Sequence, residues 1–159
     1  MRVYVGNDHG GVSLRQPLLK WLGEHGHEVV ATEGPAQSGE SVDYPDIAAV
    51  VCRKVLADPG SYGLLVCGTG QGMAISANHV PGIRAALVSD VFSARMAREH
   101  NDANVVCMGE RVLGPGLAVD LLAAFCAATF AGGRHARRVG KIEAIAAAGD
   151  GGPAAATRS

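Results

Sequence analysis

Tyr62-Gly63-Leu64-Leu65-Val66-Cys67-Gly68-Thr69-Gly70-Gln71-Gly72-Met73-Ala74-Ile75-Ser76-Ala77-Asn78-His79 is the stretch that decides how the chain reads. The apolar run Leu64 to Cys67 has the length of a buried strand, and Gly68, Gly70 and Gly72 mark a tight turn. From Met73 to Asn78 the spacing is helical, with Met73, Ser76 and Ala77 on one face. A strand, a glycine turn and a helix N-terminus gather backbone N–H groups and a partial positive charge in one place. The turn is therefore a candidate cradle for a phosphate, or for an oxyanion formed during a reaction. Cys67 stands at its edge, and thiols beside helix N-termini are more readily thiolates. Cysteine is also among the most buried residue types, so Cys67 alone reads more simply as core. The turn is not a P-loop, because no Gly-Lys-Ser/Thr follows. It is not the dinucleotide fingerprint either, because Met73 stands where the third glycine belongs.

Outward from that stretch, strand and helix patterns alternate. Arg2 to Gly6 reads as a strand and Asn7-Asp8-His9-Gly10-Gly11 as the turn after it. A helix is expected from about Ser13 to His25, with Pro17 placed in its first turn and Gly26 as the C-terminal glycine. Strands are expected at His27–Ala31, Ile83–Val88 and Asn104–Gly109, and helices at Asp46–Leu56, Asp90–Asn101, Pro115–Phe130 and Arg134–Ala148. The alternation predicts an α/β fold: a doubly wound, five-stranded parallel sheet with helices on both faces. Residues 1–148 read as one domain and 149–159, rich in Gly, Ala and Pro, as a frayed tail. In such sheets ligands bind beyond the carboxyl ends of the strands. The turn at Asp8-His9 and the turn at Cys67 to Gly72 fall at that same edge.

Composition narrows the function. The 159 residues are 48% hydrophobic but only 4% aromatic, which suits close packing of helices on a sheet. A net charge of −1 provides no global field for nucleic acid or an anionic membrane, so an anionic ligand needs a local cluster. Cys52, Cys67, Cys107 and Cys126 form no C-x-x-C pair, which argues against zinc-ribbon and thioredoxin readings. With no leader-like or membrane-spanning run, the expected compartment is a reducing cytoplasm. The helix from Pro115 is apolar on more than one face, through Leu117, Val119, Leu121, Leu122, Phe125 and Phe130. That predicts a dimer or larger assembly, with the C-terminal helices in the contact.

Several polar residues are candidates for chemistry. Asp8-His9 suits acid–base work or a sugar hydroxyl, and equally a solvated turn. His100-Asn101 closes a helix, where a cationic imidazole is favoured by the dipole. Arg134, His135, Arg137 and Arg138 crowd a helix start, where cations are unfavourable, so the cluster calls for an anion. Arg134 and Arg138 share a face by their i,i+4 spacing. Arg111, after Gly109, can reach the same sheet edge as Cys67.

Taken in order, these segments resemble ribose-5-phosphate isomerase B, in the family that includes the galactose-6-phosphate isomerase subunits. The likeness rests on Gly6–Gly11, Asp43-Tyr44-Pro45, Cys67–Met73, Ser76-Ala77-Asn78, Pro81–Ala85, Ala97–Asn104 and Gly132–Arg138. The resemblance implies interconversion of ribose 5-phosphate and ribulose 5-phosphate through an enediolate, with no metal and no cofactor. Cys67 matches the base; the carboxylate that some members use near Gly72-Met73 is missing here, which puts the chain in the cysteine-type group. Gly68, Gly70, Gly72 and Thr69 would stabilise the enediolate oxygen, Asp8 and His100 would open the furanose ring, and His9, Arg134 and Arg138 would hold the phosphate. Asn101 joins the substrate contacts. The site would lie between two copies of a homodimer or tetramer, with His100, Arg111, Arg134 and Arg138 supplied by the neighbour. His79 and Asn7 depart from the usual pattern, and both are expected near the sugar. They leave allose 6-phosphate, galactose 6-phosphate and erythrulose 4-phosphate as alternative substrates. A non-catalytic sugar-phosphate-binding module is the reading from another class.

Overall fold

The computed structural model describes residues 1–37 and 39–149; the tail from residue 150 lies outside it. Five parallel strands form one sheet: β1 (Arg2–Asn7), β2 (Glu28–Glu33), β3 (Tyr62–Cys67), β4 (Ala85–Leu87) and β5 (Val105–Gly109). The helices between and after them are α1 (Val12–Glu24), α2 (Tyr44–Ala57), α3 (Gln71–Asn78), α4 (Val91–Glu99), α5 (Pro115–Ala127) and α6 (Arg134–Gly149). The order across the sheet is β2-β1-β3-β5-β4. From β1 the chain first winds outward to β2, then returns to place β3 on the other side of β1. The carboxyl ends of β1 and β3 therefore flank the point where winding reverses, the place where such sheets open a crevice.

The two-residue period of the strands sorts the core into two layers. Val3, Val5, Leu64, Val66, Val106 and Met108 face α1, α4 and α5; Leu65, Cys67, Val105 and Cys107 face α2 and α3. The central strands β3 and β5 are buried on both faces, and their near-continuous apolar sequences reflect that.

Several boundaries differ from the sequence reading. α1 starts at Val12, so Pro17 is its sixth residue and lies in the second turn rather than the first. The missing N–H leaves the Ser13 carbonyl without its helical partner, and Ser13 is exposed, where water can serve. The helix ends in a Schellman motif: Gly26 is left-handed at φ 72°, and His27 N donates to Leu22 O at 2.9 Å. β4 is only three residues, shorter than Ile83–Val88, because asparagine side chains take its backbone groups. Asn104 Oδ1 accepts from Arg84 N, and the Asn78 amide bonds both N and O of Ala85. α5 stops at Ala127, short of Phe130, where Ala128 turns extended. Its apolar faces are largely covered within the chain: Ala118, Leu121, Leu122 and Phe125 are buried where α5 packs between α1 and α4. Of the apolar residues of α5, Leu117 remains exposed. Further exposed apolar residues include Ile75, Leu87, Phe92 and Ile145.

Candidate active site

Cys67 is the last residue of β3, and its side chain faces the α2/α3 layer beside Leu65, Met73 and Cys107. It is 4% exposed, a nearly closed position at the sheet edge. Its Sγ accepts the backbone N–H of Gly70 at 3.1 Å, so the glycine turn closes back on the sulfur. Gly70 caps α3 in the left-handed region, φ 77°, and buries against Met108 and Leu87. Thr69 beside it is exposed. The other three thiols are held protonated by burial, Cys52 and Cys126 pushed up to about 11 and Cys107 further still.

The turn after β1 lies against this one. The position where Gly10 would carry a Cβ is 3.0 Å from Gly68 N. Asp8 is buried, with Oδ1 accepting from Gly10 N at 2.8 Å, and His9 is exposed. The turn after β5 closes the third side: Glu110 N and Arg111 N donate to Cys67 O and Gly68 O, both at 2.9 Å. The Arg111 guanidinium packs over Gly68 of its own chain, not of a neighbour as the resemblance implied. A single chain thus assembles Asp8, His9, Cys67, Gly68, Thr69, Gly70 and Arg111 around one crevice.

Three residues at this edge were given no role from sequence. The Tyr44 ring, half exposed, packs over Gly72, where a Cβ would meet it at 2.7 Å. Glu110 Oε2 accepts from Ser13 N at 2.6 Å and Leu14 N at 3.3 Å, occupying the N-terminus of α1. That leaves the start of α3 as the open anion-favouring helix end here. Arg15 is buried and bonds Asn7 Oδ1, Gly34 O and Pro35 O. Tyr44 fell within the Asp43-Tyr44-Pro45 segment of the resemblance but carried no role there; for Glu110 the one signal was its place beside Arg111.

The remaining candidates lie at the other edge of the sheet. α4 runs back from the carboxyl edge, and the loop after it is tied to the start of β4 through Asn104 N to Arg84 O. His100 and Asn101 therefore sit towards the amino ends of the strands, about one strand length from the carboxyl edge that holds Cys67. α6 is anchored to that same edge: Ala131 N donates to Glu99 O, and Arg84 pairs with Glu143 at 2.8 Å. The His100 and His135 rings stack with centroids 4.1 Å apart and planes 7° from parallel. Arg134 Nε approaches His135 Nε2 at 3.4 Å, and Arg134 and Arg138 are exposed. Burial, then His100, Arg134 and Arg138, lower the His135 pKa below its ordinary value.

The two residues that depart from the resemblance are both away from the crevice. The Asn7 side chain is turned into the fold, its amide donating to Asp8 O and Pro35 O and its oxygen bound by Arg15. His79 caps the far end of α3, exposed, with Nδ1 at 2.7 Å from Ile75 O.

The chain as a whole has known relatives. Residues 3–142 match the family described as Ribose/Galactose Isomerase. The chain belongs to the ribose/galactose isomerase family. It is accordingly an aldose–ketose isomerase. Among relatives, the "Putative sugar phosphate isomerase YwlF" of Bacillus subtilis is 49% identical over 142 residues, covering 89% of this chain and 95% of that one. Ribose-5-phosphate isomerase B of Escherichia coli is 40% identical over 144 residues, covering 91% of this chain and 95% of that one. The solved ribose-5-phosphate isomerase B of Clostridium thermocellum superposes with a TM-score of 0.85 at 46% identity, covering 91% of this chain and 97% of that one. The match runs from β1 into α6, both ends of the sheet included. Among the described residues no helix is long and apolar enough to cross a membrane.

Proposed function

We propose that the enzyme interconverts ribose 5-phosphate and ribulose 5-phosphate, with Cys67 as the base and each site completed by a second copy of the chain. The observation that carries the reading is the Gly70 amide bonded to Cys67 Sγ at 3.1 Å, at the crevice between β1 and β3. It brings the sulfur and the start of α3 together, which supports both acting on the same end of an open-chain sugar. Once the sugar ring is open, the Cys67 thiolate removes the proton from C2, and that electron pair becomes the C1–C2 double bond. The aldehyde oxygen takes the negative charge, stabilised by the prearranged amides of Gly68 to Gly72 and by Thr69. Cys67 returns the proton to C1 while the C2 hydroxyl proton passes to O1, which leaves a ketone at C2, a hydroxyl at C1 and the thiolate restored. Asp8 is held by Gly10 N at the mouth of the crevice, suited to receive or supply the ring-opening proton there. His9 and Arg111 offer the near side of a phosphate grip.

Placement supports the second copy. His100, Asn101, Arg134 and Arg138 lie a strand length from Cys67 in one chain, so they meet a sugar at Cys67 only when a neighbour presents them. Two surfaces support that contact. A groove of about 590 Å³ runs along the β4 edge, lined by Leu87, Phe92, Met96 and Ile142, with Asn101 at its side. α6 exposes Ile142 at 47% and Ile145 at 73%. A groove apolar enough to shed water beside an unpaired strand edge suits a second copy of the chain.

Isomerase assays with four-, five- and six-carbon sugar phosphates test the substrate. The pentose 5-phosphate is expected to have the highest kcat/KM, and a clear preference for another chain length would overturn that choice. Cys67→Ser is expected to abolish turnover while keeping substrate binding. Exchange of label from C2 into water separates the isomerase from a module that only binds sugar phosphate.

A further inference from the structure

We infer that Asp102 is a positioning residue that fixes His100 and the α6 arginines as one rigid unit. The inference rests on the reading above that His100 serves a neighbouring copy's site. Asp102 is two residues beyond His100 and adopts φ 47°, the one non-glycine residue with positive φ among those described. Aspartate and asparagine tolerate that region better than most side chains, but ordinarily only where surrounding contacts hold them there.

Those contacts are present and all converge on Asp102. Oδ1 accepts from Arg98 Nη1 at 2.8 Å, Oδ2 from Arg84 Nη2 at 2.9 Å, and its backbone oxygen from Arg84 Nε at 2.9 Å. Its own N–H donates to Arg98 O at 3.2 Å. Each arginine then reaches a different part of the fold. Arg98, with its side chain 8% exposed, bonds Ala103 O and Tyr62 Oη and stacks on the Tyr62 ring at 4.6 Å. Arg84 spends its remaining arm on Glu143 of α6 at 2.8 Å. A chain of bonded groups thus runs from Tyr62 at the start of β3, through Arg98, Asp102 and Arg84, to α6. His100 rides on the middle of it, and Arg134 and Arg138 on its far end. Catalytic groups displaced by about 1 Å lose about a hundredfold in rate, so a unit presented across an interface needs such bracing.

The test uses the whole enzyme. Asp102→Gly and Asp102→Asn both keep a residue that accepts the left-handed backbone, and both remove the paired charge. Each is expected to lower kcat about 10- to 100-fold with the enzyme otherwise wild type. In a His100→Asn background the same change is expected to cost less than about twofold, because it acts through a group already removed. Glu143→Gln, which leaves the turn intact, is expected to raise KM several-fold and spare kcat. Equal losses in the two backgrounds would make Asp102 a general structural residue and overturn the inference, as would wild-type kcat in Asp102→Gly. The His100→Asn enzyme is assayed first. Wild-type turnover there would remove the shared-site reading and this inference with it, whereas a loss there followed by equal Asp102 effects removes the inference alone.

Discussion

Replacing Gly70 by alanine tests whether the glycine turn is held by its backbone. Gly70 sits at φ 77°, where an L side chain costs about 1–2 kcal/mol. The added Cβ would lie 2.5 Å from Leu87 Cδ1 and 2.8 Å from the Met108 carbonyl carbon. Leu87 can move, but Met108 is backbone of the central strand β5 and cannot, so overpacking adds about 1–3 kcal/mol. The sum, about 2–5 kcal/mol, corresponds to a fall in Tm of about 6–15 °C for a domain of this size. Because the Gly70 amide also bonds Cys67 Sγ, displacing the turn is expected to lower kcat about 10²–10³-fold, the usual cost of losing one oxyanion donor. Gly68→Ala is the control. There the new Cβ meets only the Arg111 side chain, at 3.4 Å, and φ is not positive. It should shift Tm by less than about 3 °C, the equivalent of under 1 kcal/mol. Scanning calorimetry and steady-state kinetics on both variants decide the matter. A Gly70→Ala enzyme as stable and as active as wild type would refute the argument.

The shared site predicts complementation: a Cys67→Ser enzyme, inactive alone, and a His100→Asn enzyme, reduced to a low residual rate, should together exceed that rate when unfolded and refolded as a mixture, since a mixed dimer holds one intact site; no gain would place all groups in one chain. Alkylation followed by peptide mass spectrometry should find Cys67 modified first and in step with inactivation, because burial holds the Cys52, Cys107 and Cys126 thiols protonated at neutral pH. His135 should make stability fall on the acid side. Its folded pKa is lowered from 6.5, so its contribution is complete above that value and lost as pH falls from there through the lower folded value. His135→Phe, which keeps a ring against His100, should flatten the change in Tm between about pH 7 and about pH 5.5.

Much of this architecture is local and was legible in residue order. The apolar run at Leu64–Cys67, the glycines after it and the 3.6-residue spacings state their own secondary structure, because backbone sterics and burial act over a few residues. Parallel strands then follow from alternation with helices, and the functional edge from the rule that crevices open at carboxyl ends. Element ends were less legible. β4 is short because Asn78 and Asn104 compete for its backbone from distant positions, and such competition leaves no periodic trace.

The amino-acid order by itself determined the α/β class, the glycine turn after Cys67 and the family motifs, since each depends on neighbours in the chain. Only the tertiary structure decided which candidates meet. It drew Arg111 over Gly68 of its own chain, turned Asn7 inward to Arg15, and gave the α1 N-terminus to Glu110. It also set His100 and Arg134 a strand length from Cys67. The physical reason is that a helix returning along a parallel sheet carries its last residues to the opposite edge, and no spacing in the sequence records which edge a side chain finally occupies.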